Sequence, residues 1–303
     1  MRDQDSRPLR PVARSASATP TRTDVAAAQG IDATPISTEL PSGGRRHLLR
    51  PILTVIPPMI VFVLLIAVWE LGVRILNIPY VTLPAPSRII QTIPTIDELW
   101  SDAYYTTVEE ALPGFLLGSG LGFVVAVMAT HSRFFARGVL PYAAITNSIP
   151  IIGMAPISVA LFGAEWQSKA VIVAILTFFP MVLNAYRGLT SVDPVSLQLM
   201  RSYAANWWET LVKLRFPASL PYVFNALKIN TTLAMIGAIV AEYFGGPFAG
   251  LGYYINNEAP ELAMDKAWAA VVVACAIGIG AYMIVVIVER IFTSWHVSYR
   301  SGR

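Results

Sequence analysis

Long apolar runs constrain the fold of this chain more than any other feature of its sequence. Six of them are long enough to cross the hydrocarbon layer of a bilayer as helices, at about 52–76, 105–129, 139–162, 169–190, 220–243 and 267–292. Inside lipid a helix satisfies its own backbone hydrogen bonds. Because 55% of the residues are hydrophobic and only 14% are charged, we predict an all-α integral membrane protein with six transmembrane helices.

The first fifty residues differ from the remainder in composition. Residues 1–50 are rich in Arg, Ser, Thr, Pro and Ala and have almost no large apolar side chains, which predicts a disordered cytoplasmic tail. Residues 51–303 are predicted to form one six-helix domain. The single cysteine, Cys275, excludes an intrachain disulfide and an all-cysteine metal centre, and the three histidines are dispersed. No metal site is therefore predicted.

Basic residues are unequally distributed between the two sets of loops that six spans create. Thirteen Lys or Arg residues fall on the set that includes both chain ends and the loop at 193–217, and the other set has only four: Arg74, Arg88, Lys169 and Lys266. Loops with the excess of Lys and Arg stay in the cytoplasm. The distribution predicts cytoplasmic N- and C-termini and a cytoplasmic loop at 193–217.

The segment 193–221, DPVSLQLMRSYAANWWETLVKLRFPASLP, is polar but carries the signals of folded structure. Asp193 before Pro194 predicts a helix start, because proline is tolerated at the first helical position. Asn206 and Glu209 have the spacing of a capping box, which predicts that a second helix begins directly after Asn206. Two short helices are therefore expected in this loop.

Two prolines, Pro217 and Pro221, are expected to end the second helix and to start the next apolar run. The aromatic residues Tyr203, Trp207 and Trp208 have two explanations. They could be anchors that a partner protein buries, since aromatic side chains with basic neighbours are enriched in binding hot spots. The two tryptophans could instead lie at the bilayer interface, where tryptophan is common.

The segment resembles the EAA loop of the permease subunits of binding-protein-dependent ABC importers. In that family a Glu-Ala-Ala triplet precedes a glycine and, further on, two prolines. Aligned on the prolines, the family glycine falls on Ala204, the glutamate on Gln198, and the two alanines on Leu199 and Met200. The triplet is thus replaced in this chain, whereas the Asn206–Trp208 stretch and the proline end match.

Three other segments add to the resemblance. LPAPSRII, at 83–90, looks like the family's LPxP periplasmic segment; Asn147–Pro156 resembles its PPLAxxPL stretch; and Gly250-x-Gly252 resembles its terminal GLG. The resemblance implies a type I ABC importer (MetI-like) permease fold with cytoplasmic EAA-type coupling helices. It is closest to the nitrate, sulfonate and taurine branch, which includes permeases for pyrimidine vitamin precursors and riboflavin.

The family's partners follow from the same resemblance. It implies a permease dimer, with itself or with a second permease, in the bacterial inner (plasma) membrane. A separate ABC ATPase would bind ATP and Mg, and a periplasmic or lipid-anchored protein would deliver substrate. This chain has no P-loop motif, so no cofactor is expected in it. It also has none of the motifs of a serine or zinc hydrolase, and neither an enzymatic nor a nucleic-acid-binding role is expected.

The resemblance also assigns residues. It implies that eight residues couple the permease to its ATPase: Gln198, Met200, Tyr203, Ala204, Asn206, Trp207, Glu209 and Pro217. Polar side chains inside spans are costly in lipid and are expected to face the bundle or a translocation path. We assign to that path Asn147, Ser148, Met154, Asn230, Thr231 and Thr232. For each of them a helix–helix hydrogen bond is the alternative explanation.

Several other expectations remain open from sequence. The run LMRSYAANWW favours a vitamin or pyrimidine precursor as the substrate, such as riboflavin or a thiamine precursor, over a sulfonate, taurine or nitrate.

Glu109, Glu110 and Glu242 are expected near the outer membrane interface. A glycine series in the second span predicts close helix packing rather than a hinge: Gly114, Gly118, Gly120 and Gly122. A secondary transporter or channel, which would favour an inverted repeat or intramembrane carboxylates, is the alternative class.

Overall fold

A computed structural model describes residues 50–146, 150–245 and 249–293. The described part contains helices and no β-strand, which confirms the all-α prediction. Its helices are α1 (Arg50–Ile75), α2 (Pro86–Thr92), α3 (Glu98–His131), α4 (Arg133–Thr146), α5 (Ile151–Phe162), α6 (Trp166–Thr190), α7 (Pro194–Ser202), α8 (Trp207–Gly245), α9 (Leu251–Glu258) and α10 (Met264–Phe292). The predicted tail, except for Arg50, lies outside the described residues.

Five of the described helices are long and apolar enough to cross a membrane: α1, α3, α6, α8 and α10. They coincide with five of the six predicted spans. The remaining span, predicted at 139–162, is not one helix, since α4 ends at Thr146 and α5 begins at Ile151. Residues 147–149 between them lie outside the described part. The count of six spans therefore stays a prediction.

Helix α6 lies at the centre of the bundle, against α3 on one side and α8 on the other. Glycines let α3 approach its backbone closely: a Cβ added to Gly114 would lie 2.5 Å from the Cβ of Val173, and one added to Gly122 would lie 2.6 Å from the carbonyl oxygen of Phe178. Gly118 meets the Thr177 side chain in the same way. The predicted close packing is confirmed at these positions.

Two of the long helices contain a π-helical segment that ends two residues before a proline. In α3 it spans Tyr105–Ala111 and precedes Pro113; in α8 it spans Leu211–Arg215 and precedes Pro217. Proline lacks an N–H group and its ring collides with the carbonyl four residues earlier, whereas the wider π turn moves that carbonyl away. The prediction that Pro217 and Pro221 end the second loop helix was therefore wrong, because α8 continues through both prolines.

Candidate coupling site and translocation path

The turn between α7 and α8 is built by two hydrogen bonds that end α7. The N–H of Ala204 donates to the carbonyl of Arg201 (2.9 Å), and the N–H of Ala205 donates to the carbonyl of Met200 (3.0 Å). This pair is the Schellman motif, in which one residue adopts a left-handed backbone. That residue is Ala204, with φ of 52°. The sequence alignment places the family's glycine at this position.

The capping box that opens α8 is present as predicted. The N–H of Glu209 donates to the Asn206 side chain (2.8 Å), and the N–H of Asn206 donates to the Glu209 carboxylate (2.9 Å). At the start of α7, in contrast, the Asp193 side chain makes no capping hydrogen bond, although the helix does begin at Pro194. The turn is therefore held from the α8 side by side chains and from the α7 side by backbone.

The first turn of α8 packs against the bundle. The indole of Trp207 meets the imidazole of His131, at the end of α3, edge to face with ring centroids 4.8 Å apart. One turn later, Leu211 is buried in an apolar cluster formed by α3, α6 and α8, which includes Met181 and Leu189. A displacement of the start of α8 would therefore be transmitted directly to α3 and α6.

Two aromatic side chains beside this anchor are left exposed. Tyr203 in the turn is 76% exposed and Trp208 on α8 is 66% exposed. Trp207, Trp208 and Leu211 also form one wall of an apolar groove of about 790 Å³, and the end of α3 and the start of α4, including Phe134, form the other. Trp207 thus packs against His131, whereas Tyr203 and Trp208 keep most of their surface open, although the Trp208 ring also touches Trp207 with centroids 4.8 Å apart.

The other residues assigned to coupling surround the same turn. Gln198 is exposed on α7, and Met200, although half-buried, contributes its carbonyl to the Schellman motif. Pro217 lies further along α8, past the π-helical segment. Met200 lies on α7 and Trp207 lies on α8, so the turn places these two residues on different helices. Glu209 also forms an ion pair with Lys213, 3.6 Å away.

The residues assigned to the path fall in different environments. Asn147 and Ser148 lie outside the described residues, and Met154 is half-buried on α5. Asn230 is fully buried and donates to Ser119 Oγ (2.9 Å) and to the carbonyl of Thr177 (2.7 Å). This is the helix–helix hydrogen bond that the sequence left as an alternative.

Thr231 and Thr232 point in different directions from α8. The Thr231 hydroxyl donates to the carbonyl of Lys228 on its own helix, whereas Thr232 is exposed and lines a cleft of about 570 Å³. The cleft lies between α8, α9 and α10, and its lining residues are apolar apart from Thr232, Cys275 and Tyr282. Of the assigned path residues that the structure describes, Thr232 lines an open cleft.

Three buried ionisable residues were missed as a group by the sequence reasoning. Glu110 on α3, Lys169 on α6 and Glu242 on α8 are each at most 1% exposed. The two glutamates were expected near the outer interface, and that depth stays a prediction. The structure shows that both side chains are enclosed within protein. The sequence did contain a signal for this group. Glu110, Lys169 and Glu242 each lie inside a predicted span, and the two acidic residues and one basic residue could pair there.

Comparison with known proteins agrees with this architecture. The family described as binding-protein-dependent transport system inner membrane component matches residues 118–294. The chain is 30% identical to a probable ABC transporter permease protein of Haemophilus influenzae, over 74% of this chain and 91% of the relative.

Two further relatives cover similar lengths. One is the formylaminopyrimidine transport permease protein ThiX of Halalkalibacterium halodurans (30% identical, 78% of this chain and 95% of the relative). The other is the riboflavin transport system permease protein RibX of Chloroflexus aurantiacus (27% identical, 79% of this chain and 90% of the relative). The relatives are named as transport permeases rather than enzymes. The chain therefore belongs to the family of inner membrane permease components of binding-protein-dependent ABC importers.

Proposed function

We propose that this chain forms the translocation path of an ATP-driven importer of a small organic solute and couples that path to a separate ATPase through the loop at 193–217. The ATPase binds ATP and Mg, two permease subunits form the path, and a substrate-binding protein delivers the solute from outside. The N- and C-termini and the coupling loop are cytoplasmic, as the distribution of Lys and Arg indicates.

The observation that carries the coupling role is the contrast between Trp207 and its exposed neighbours. A fixed turn presents Tyr203 and Trp208 outward, while Trp207 and Leu211 lock the same helix end to α3 and α6. Exposed aromatic residues on a rigid support are typical of binding hot spots. A partner that binds the exposed pair would therefore move the packed pair, and the bundle with it.

Helix α8 provides the mechanical connection from the loop to the path. It is continuous over 39 residues, a length of roughly 58 Å at the rise of an α-helix. The helix begins in the capping box. Further along, Asn230 joins it to α3 and α6 by hydrogen bonds to Ser119 and Thr177, and Thr232 lines the cleft. Closure of the ATPase against the loop would tilt this helix and change access to the path, a rigid-body transition of the hinge and shear type.

The lining of the cleft favours an uncharged or aromatic solute over an inorganic anion. Thr232 and Tyr282 are the hydroxyl-bearing residues of an otherwise apolar lining, and no Lys or Arg lies among the lining residues in the described part of the chain. Recognition of nitrate or sulfonate needs cationic side chains or several N–H donors. This supports a vitamin or pyrimidine precursor as the substrate, the class to which the substrates in the names of two relatives belong.

Co-purification of the ATPase tests the coupling role. Tyr203→Ala combined with Trp208→Ala is expected to lower the amount of ATPase retained by the tagged permease at least fivefold and to reduce uptake in parallel. Tyr104→Ala is the matched control, because Tyr104 is also exposed but lies near the opposite end of α3. Undiminished ATPase retention in the double variant would contradict the docking role, as would an equal loss in the control.

A further inference from the structure

Glu110, Lys169 and Glu242 meet where α3, α6 and α8 come together. The Glu110 Oε1 and Lys169 Nζ atoms are 4.0 Å apart, and both side chains are buried. Removing charged groups from water costs several kcal/mol per ion unless partners compensate. With two carboxyl groups and one ammonium, the three side chains would carry a net negative charge if all of them were ionised.

Glu242 has the hydrogen-bond partners that a carboxylate requires. It accepts from the N–H of Gly252 (2.6 Å) and from the Thr106 hydroxyl (2.7 Å). The Thr106 oxygen in turn accepts from the N–H of Leu251 (2.8 Å). Short hydrogen bonds from several donors are typical of an ionised acceptor. The Glu242 carboxylate therefore binds the start of α9 to α3 and α8.

Lys169 also has its own partners. Its ammonium donates to the backbone carbonyls of Ala164 and of Glu165, the latter at 3.1 Å. Its Nζ lies 4.0 Å from the Glu110 carboxyl group. A single ammonium can balance only one of the two carboxyl groups.

Glu110 differs from both of its neighbours. Its side chain is fully buried, and neither of its oxygens accepts a hydrogen bond from any donor in the described part of the chain. An ionised carboxylate without donors is among the most costly groups to bury. A protonated carboxyl group is not, because it becomes a donor. The Glu242 carboxylate can accept from it, since that carboxylate already bonds to Thr106, about one turn before Glu110 on α3.

We propose that Glu110 and Glu242 bind one proton between them and that Glu110 carries it, donating a hydrogen bond to the Glu242 carboxylate. The cluster is then neutral overall, because the one ammonium of Lys169 offsets the one remaining carboxylate. The Glu242 carboxylate fixes the start of α9, which supplies Ile255 to the wall of the cleft. The proton site is independent of the ATPase and of the substrate. The other titratable groups near it are Asp102, Tyr105 and Glu109 on α3, and Glu165, which directly precedes α6.

Infrared spectroscopy of the purified chain in lipid nanodiscs tests the proposal. In wild-type protein labelled with ¹³C-carboxyl glutamate, we expect the C=O stretch of a protonated glutamic acid at neutral pH, shifted by the label. Glu110→Gln should remove this band and leave the melting temperature near that of the wild type, since Gln is neutral and its amide donates to Glu242. Glu109→Gln, the neighbouring control, should leave the band in place.

Three results would overturn the proposal. One is the absence of a label-shifted carboxylic acid band in the wild type. Another is a band that persists in Glu110→Gln, which would place the proton elsewhere. The third is failure of Glu110→Gln to fold, because the nearest neutral isostere should be accepted by a site that already holds a neutral group.

Discussion

The side-chain amide of Asn230 on α8 donates a hydrogen bond to the backbone carbonyl of Thr177 on α6, 2.7 Å away, at the centre of the bundle. The same amide donates to the Ser119 hydroxyl on α3, so one side chain joins three helices. This junction lies on the helix that begins in the coupling turn. Together with the packing of Trp207 and Leu211, it connects a movement of α8 to α3 and α6.

Replacing Asn230 tests this junction. Asn230→Leu removes both hydrogen bonds from a fully buried position and should lower the free energy of unfolding by about 1–3 kcal/mol. Asn225→Leu, at an exposed position on the same helix, should change it by less than about 0.5 kcal/mol. Thermal unfolding in detergent compares the two variants, and equal effects would show that the junction contributes nothing specific.

The contact between α3 and α6 gives a second prediction with an internal control. Gly118→Ala places a methyl group against Thr177 and the Ala174 backbone, so it should destabilise the protein by about 1–3 kcal/mol. Gly120→Ala meets no atom within 4 Å and should leave stability unchanged or raise it by up to about 1 kcal/mol. Thermal unfolding measures both, and a harmless Gly118→Ala would contradict the close approach of the two helices.

These glycines show what the sequence could predict and what it could not. Small residues four apart in an apolar run predict close packing, and Gly114, Gly118 and Gly122 confirm it. Gly120 belongs to the same series but faces open space. The helical period shows that Gly120 lies on a different face of α3 from Gly118. Which face packs against α6 depends on the tertiary structure, which the sequence pattern alone does not predict.

Helix boundaries illustrate the same limit at the prolines. The local rule that proline ends a helix failed at Pro217, because the π-helical segment Leu211–Arg215 removes the clash and lipid favours a continuous helix. The capping box of Asn206 and Glu209 was predictable, since both partners are three residues apart. The burial of Glu110 and Glu242 was not, because it depends on packing of distant segments.

The left-handed residue in the coupling turn gives a third prediction. Ala204 has φ of 52°, a conformation that costs an alanine about 1 kcal/mol more than a glycine. Ala204→Gly should therefore raise stability by up to about 1 kcal/mol without lowering ATPase retention, whereas Ala204→Val should lower both. Ala205→Gly, at the next position, serves as the control and should not stabilise. Stabilisation by Ala205→Gly but not by Ala204→Gly would contradict the Schellman geometry.

A fourth prediction concerns the attachment of α9. Gly250 has φ of 111°, and a Cβ added to it would overlap the Glu242 carboxylate. Gly250→Ala should therefore destabilise the protein by more than about 2 kcal/mol, through strain and collision together. Gly163→Ala isolates the strain, since Gly163 also has a positive φ of 85° but open space around it. Thermal unfolding should show a larger loss of stability for Gly250→Ala than for Gly163→Ala. Equal losses would show that the Glu242 carboxylate does not lie against Gly250.

Labelling at Ser202, beside Tyr203 in the coupling turn, tests the central claim most directly. Cys275 is the only cysteine, so Ser202→Cys combined with Cys275→Ser leaves one thiol, at a position that is exposed in the free chain and that keeps both proposed docking residues. We predict that a membrane-impermeant maleimide labels this thiol in inside-out vesicles and not in right-side-out vesicles, and that bound ATPase protects it. Labelling from the outer face, or full labelling in the presence of the ATPase, would contradict the account.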